Sequence, residues 1–265
     1  MRWPILMVIF GLLVTAGGAL AQAPDTVFLE ELTWTEVRDA VRAGKTTIIV
    51  PAGGTEQNGP RMALGKHNAR VKVLSQDIAR ALGDALVAPV IAYVPEGGIA
   101  PPTAHMRYPG TITVPEEAFQ KVLEFAARSF KLHGFRNIVL LGDHGSTQAG
   151  QKAVAARLNR EWVATGVRVH AIEEYYRAGE SEVPRLLRAR GYSDAELGRH
   201  AGLTDTALML AIDARMVRPD RLRPGREGDG VDGDPTRATA ELGRPGAELI
   251  VSRTVDAVRK SITHR

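Results

Sequence analysis

The stretch TIIVPAGGTEQNGPRMALGKHN, Thr47 to Asn68, sets the reading of the whole chain. Its β-branched run, Ile48 to Val50, stops at Pro51 and the pair Gly53 and Gly54, the pattern of a buried strand emptying into a polar loop. That loop carries Glu56, Gln57, Asn58 and His67 before a helical pattern begins. In open α/β sheets ligands collect beyond the carboxyl ends of the strands, where loops present polar groups over a rigid base. Glu56 and His67 are therefore candidate metal ligands.

Upstream, Thr35 is placed to cap a helix that ends near Arg42 and stops at Gly44. Downstream, Val71, Val73, Leu74, Ile78 and Leu82 recur at helical spacing up to Gly83, with Asn68 as the cap, and a strand is expected from Ala85 to Tyr93. Pro95 to Thr113 is rich in Gly and Pro and ends in a short strand at Thr111 to Val114. A loop of that length reads as a cover over the site or a subunit contact. Pro115 to His133 is the clearest helix, with Glu116 and Glu117 at its positive end and Phe119, Val122, Leu123, Ala126 and Phe130 on one face. Asn137 to Leu141 is an apolar strand running into Gly142-Asp143-His144-Gly145-Ser146. A helix over 149–164, a strand over Gly166 to Ile172 and an amphipathic helix around Glu182 to Arg190 follow. An apolar helix opens at His200 to Asp205, and a last helix from Thr236 is expected to break near Gly243 to Gly246. Strands alternating with helices predict an α/β fold with a mostly parallel central sheet covered on both faces.

The 265 residues, 44% apolar and 24% charged, suit one large domain. With a net charge of +4 and basic residues mixed among acids, nucleic acid is not an expected partner. Arg2, the apolar stretch Ile5 to Ala16 and the sequence Ala19-Leu20-Ala21 have the form of a signal peptide over residues 1–21. Residues 22–28 read as a linker and 29–265 as the domain, secreted or periplasmic and without a stable membrane span after processing. Cysteine is absent, so a metal must be held by His, Asp and Glu.

Three loops carry such groups: Glu56 with His67, Asp143 with His144, and His200 with Asp205. Two neutral imidazoles and one carboxylate hold a divalent ion while leaving room for water, and Glu56, His67 and His144 form such a set. PAGGTEQNGPRMALGKHN resembles the creatininase (creatinine amidohydrolase) motif GS-x-EQHGPHLPL, which is followed by a metal-binding Asp. LLGDHGSTQ is similar to that family's NGHGGN segment, HAGLTDTALML to HAGE-x-ETS-x-ML, and GVDGDPTRATAELG to GV-x-GDP-x-x-ATAE-x-G. The matches run in order from about Leu29 to the C-terminus.

The resemblance implies a creatininase-like three-layer α/β sandwich and a metal-dependent amidohydrolase, usually with two metals and often a homohexamer. Glu56 and His144 match metal ligands of the family, and His67 falls where the family has its bridging Asp. Asn58 replaces a second-metal His, and Ser146 sits where creatininase has a second-metal Glu. His200 matches a His assigned to proton transfer and Asp205 a nearby Glu, so these two are the catalytic candidates. Asp143 and His105 are candidates for contacting a ligand or the substrate. Asn58, His67 and Ser146 all weaken the second site, because a neutral ring offers one ligating lone pair where a carboxylate offers two oxygens. The expectation is one divalent ion, zinc first and manganese or iron as alternatives, cleaving a C–N bond of a cyclic or small amide other than creatinine in a homo-oligomer. A catalytically inactive protein that binds a metal or small molecule is the second reading.

Overall fold

The computed structural model describes residues 24–263, so the expected signal peptide over 1–21 lies outside them. In chain order the helices are α1 (Trp34–Arg42), α2 (Lys66–Leu82), α3 (Glu116–Leu132), α4 (Thr147–Glu161), α5 (Glu173–Arg177), α6 (Val183–Arg188), α7 (Asp194–Leu197), α8 (Leu203–Asp213) and α9 (Ala240–Thr263). A π-helical turn, Ala178–Glu182, joins α5 to α6. The strands are β1 (Thr47–Ala52), β2 (Ala85–Val87), β3 (Asn137–Gly142) and β4 (Arg168–Ala171). They form one parallel sheet in the order β2-β1-β3-β4.

That order positions the site. From β1 the chain moves outward to β2, then returns to the other side of β1 for β3 and β4, so winding reverses between β1 and β3. Their register pairs Thr47 with Asn137 and Ala52 with Gly142. Both central strands therefore end at one level, and the loops after Ala52 and Gly142 open side by side into the crevice where α/β sheets bind ligands.

The unbroken apolar runs of β1 and β3 follow from helices on both faces. Ile49, Val139 and Leu141 join one core with residues of α2, α5, α6, α8 and α9, whereas Ile48, Val50, Ile138 and Leu140 join a second with Phe119, Leu123, Val154 and Leu158 of α3 and α4. The architecture is the three-layer α/β sandwich. Burying each large side chain contributes about 1.5–3 kcal/mol, so these two cores fix the sheet that carries the loops. Val27 and Phe28, inside the expected linker, instead pair with Val87 at the sheet edge.

Several element ends differ from the sequence expectation. The cap of α1 is Thr33, which forms a capping box with Glu36. Helix α2 begins at Lys66, because Asn68 is used elsewhere: its side chain accepts from the Gly54 N–H and donates to Thr55 Oγ1, fastening the loop. The strand expected over Ala85 to Tyr93 is regular only to Val87, and Pro89, lacking an N–H, is a reason it stops. Thr111 to Val114 forms only a single bridge, Ile112 with Thr55. Helix α9 runs unbroken through Pro245. Gly243 sets the packing there: a Cβ would lie 1.9 Å from the Ala207 carbonyl oxygen, so its absence lets α9 pack onto α8. Among the described residues no helix is long and apolar enough to cross a membrane.

Candidate metal centre

Glu56 stands at the centre of the crevice, completely buried. Its two oxygens face different surroundings. Oε2 lies 3.0 Å from His105 Nε2 and 3.1 Å from His144 Nε2, and His144 Nε2 is 3.4 Å from Glu96 Oε2. One donor atom from each of Glu56, Glu96, His105 and His144 fits within a span of 4.8 Å. Oε1 lies 2.7 Å from His67 Nε2, 3.4 Å from Lys66 Nζ and 3.7 Å from His200 Nδ1.

The Oε2 side is built for a cation. Glu56 Oε2 and both oxygens of Glu96 are buried without a hydrogen-bond partner among the described residues, and such groups are rare unless something else satisfies them. Burial and the neighbouring Glu56 push the Glu96 carboxyl up to about 9, so the pair as it stands holds a proton that a divalent ion would replace. Burial lowers both His105 and His144, which favours the neutral form of each ring. Gly54 makes room for Glu96: at φ +146°, a Cβ there would stand 2.6 Å from Glu96 Oε1.

Hydrogen bonds at the outer nitrogens sort the imidazoles by role. His144 Nδ1 is 2.7 Å from Ser146 Oγ and accepts from the Ser146 N–H at 3.3 Å, which fixes the ring with Nε2 facing the two carboxylates. Gln57 has a fixed amide, its Oε1 accepting from the Gly59 N–H and its Nε2 donating to the Gly230 carbonyl. The same Nε2 donates to His105 Nδ1 at 3.1 Å, so a neutral His105 presents Nε2–H to the cluster. His200 donates its Nε2–H to the Gln57 carbonyl at 2.8 Å, which leaves Nδ1 as a proton acceptor. Burial, with Lys66 nearby, holds His200 down to about 4. His105 and His200 adjoin Ala104 (φ +46°) and Ala201 (φ +53°), the only non-glycine residues with left-handed backbone among those described. Such strain is characteristic of functional sites.

The Oε1 side is a closed ionic network. His67, expected among the ligands, stands outside the four-donor cluster and is hydrogen-bonded at both nitrogens, Nδ1 to Asp143 Oδ1 at 2.5 Å and Nε2 to Glu56. Arg70 Nε donates to both oxygens of Asp143, and Tyr175 O–H donates to Asp143 Oδ2. Asp205 receives Arg70 Nη1 on Oδ1, and Lys66 Nζ and the Ala201 N–H on Oδ2. Burial alone would raise Glu56, Asp143 and Asp205, but Lys66 and His67 beside Glu56, Arg70 beside Asp143, and Lys66 and Arg70 beside Asp205 hold all three below the usual carboxylate range. Asn58 is buried but turned away, its amide donating to the Glu56 and Ala63 carbonyls.

A cavity of about 260 Å³ opens onto both sides and is lined by Glu56, Lys66, His105, His144, Tyr176 and His200 among others. Sequence reasoning missed Glu96, Lys66, Arg70, Tyr175 and the sorting role of Gln57. Glu96 had one usable signal: it is an acid following Pro95 in the loop beyond β2, and so emerges at the same sheet edge as Glu56.

A family model described as creatinine amidohydrolase (creatininase) matches residues 30–258. The chain is 26% identical over 249 residues to the mycofactocin precursor peptide peptidase of Mycobacterium tuberculosis, covering 81% of this chain and 84% of that protein. It is 25% identical over 205 residues to the creatinine amidohydrolase of Pseudomonas putida, covering 74% and 76%. Among solved structures, a creatininase variant described as the Zn-Zn type superposes with a TM-score of 0.72 at 24% identity, covering 90% of this chain and 99% of that one, a likeness of fold. The match over residues 30–258 places the chain in the creatininase family, whose members are metal-dependent amidohydrolases.

Proposed function

We infer that this protein is an exported hydrolase that uses one divalent metal ion, zinc in the first instance, to cleave the C–N bond of a cyclic or otherwise small amide. The observation that carries this is the set of three buried carboxylate oxygens, on Glu56 and Glu96, left without hydrogen-bond partners beside His144 Nε2. Glu56, Glu96 and His144 would hold the ion. When bound, it supplies Lewis acidity toward a carbonyl and makes a water more acidic.

The remaining chemistry belongs to the chain's own residues. His200 Nδ1 accepts the proton released as water attacks, since its other nitrogen is committed to the Gln57 carbonyl. His200, once protonated, returns that proton to the departing nitrogen, and the neutral His105 offers its Nε2–H as a hydrogen bond into the same space. The two rings lie 4.6 Å apart, near enough to serve one small substrate. Asp205 positions Lys66 and Arg70 and does not itself transfer a proton, because both its oxygens are engaged. The cavity volume favours a compact amide over an extended peptide.

Metal-stripped protein should be inactive on a panel of cyclic and small amides and regain turnover with zinc or manganese. Full activity after stripping would overturn the reading. Metal retained with no turnover across the panel would favour the binding-protein alternative, which the changes at Asn58, His67 and Ser146 motivate. Homo-oligomeric assembly and the secreted or periplasmic location, the latter from residues 1–21, belong to the same proposal. Mass analysis of the exported protein tests the location.

A further inference from the structure

The one-metal reading leaves open what neutralises the Oε1 side of Glu56, and the inference here rests on that reading. Lys66 is the first residue of α2 and its side chain is 1% exposed, an unusual place for a lysine. Its ammonium lies 3.0 Å from Asp205 Oδ2 and 3.4 Å from Glu56 Oε1. A buried charge persists only when paired, and Lys66 is paired with two carboxylates at the wall of the cavity.

The surroundings leave little for another ion. Every oxygen of Asp143 and Asp205 already receives a hydrogen bond from Arg70, Lys66, Tyr175 or a backbone N–H. His67 is hydrogen-bonded at both nitrogens. The two other positions that match second-metal donors are turned to different contacts, Asn58 to backbone carbonyls and Ser146 to His144 Nδ1. A second divalent ion beside Glu56 Oε1 would be in close contact with the Lys66 ammonium, and like charges in a poorly hydrated pocket repel strongly.

We propose that Lys66 is the resident cation of the Oε1 side: its ammonium serves where a two-metal centre places its second ion, and the protein holds one metal per chain. Glu56 then bridges one metal ion and one lysine. Removing the lysine uncovers a pocket bordered by the two oxygens it touches, Asp205 Oδ2 and Glu56 Oε1, and by His200 Nδ1, which are donors suited to a second ion.

The test is the stoichiometry of zinc, measured by titration into the metal-stripped purified protein and by elemental analysis after gel filtration. The wild type should hold one equivalent, Lys66→Arg one, His144→Ala none at the same free zinc, and Lys66→Ser two. Two equivalents in the wild type would overturn the role of Lys66 while leaving the metal-hydrolase reading intact. None in the wild type would bring down both. A folded Lys66→Ser variant that still held one ion would also overturn the proposal. Should that variant fail to fold, the wild type and Lys66→Arg decide, since two equivalents in either contradicts a resident cation.

Discussion

The two oxygens of Glu56 belong to two differently built regions that share one carboxylate. On the Oε2 side, Glu96, His105 and His144 crowd buried donors together and leave acceptors unsatisfied. On the Oε1 side, His67, Lys66, Arg70, Asp143, Asp205 and Tyr175 satisfy one another almost completely. The difference is one of charge supply: the second region carries its own cations, and the first requires one from solution. Metal affinity should therefore depend on the first region and folding stability on the second.

Glu56→Gln would break both sides at once and should have the largest effect. It leaves Lys66 with Asp205 alone and takes the carboxylate from His67 Nε2, which together cost about 3–5 kcal/mol of stability, and it removes a ligand, so denaturant unfolding and zinc titration should both collapse. The next pair should cross over. His144→Ala should weaken zinc binding by more than about 100-fold while leaving unfolding within about 1 kcal/mol of wild type. Asp143→Ala leaves Arg70 with Asp205 alone and takes the acceptor from Tyr175 and His67 Nδ1, which should cost about 3–5 kcal/mol, with zinc binding reduced only about 10–100-fold through the loosened His67. Equal effects of both variants on both measurements would erase the distinction between the regions.

A finer change sharpens the role of Gln57. The carboxylate of Gln57→Glu would accept a hydrogen bond from His105 Nδ1–H where the glutamine amide donates one, turning an Nε2 lone pair into the cluster. Zinc affinity should rise about 10-fold while turnover falls, and nitrogen chemical shifts of labelled histidine should report the tautomer change.

The smallest effect comes from a histidine outside both regions. His170 on β4 is buried against Ser261 and Asn137, and burial, with Arg168, holds it down to about 4 from 6.5. An unfolded chain takes up a proton below about pH 6.5 that the folded chain refuses until about pH 4. Its contribution is thus present above pH 6.5 and lost as pH falls through that window. His170→Gln should flatten the fall of melting temperature between those values, and an unchanged profile would show that His170 does not set it.

The strand-end loop after β1 was legible because a β-branched run followed by glycines and polar residues can be read locally, and the equally apolar β3 pointed to His144 in the same way. The three-layer sandwich followed from alternating strands and helices. What stayed hidden depends on contacts distant in sequence. Glu96 sits among Gly and Pro residues without periodicity, and its place beyond β2 puts it at the right end of the sheet without saying that it will meet Glu56. Lys66 at a helix start reads as a solvated charge, and only packing against Asp205, 139 positions later, makes it a buried one. His67 looked like a ligand by type and spacing; the hydrogen bonds that occupy both its nitrogens come from the folded arrangement of Asp143 and Glu56.

Anomalous diffraction from crystals of the zinc-loaded protein would count and place the metal directly. One peak per chain is expected, within bonding distance of Glu56 Oε2, Glu96 and His144 Nε2, with Lys66 Nζ still beside Glu56 Oε1. A second peak between Glu56 Oε1 and His67, or a single peak there with none at Glu96, would contradict it.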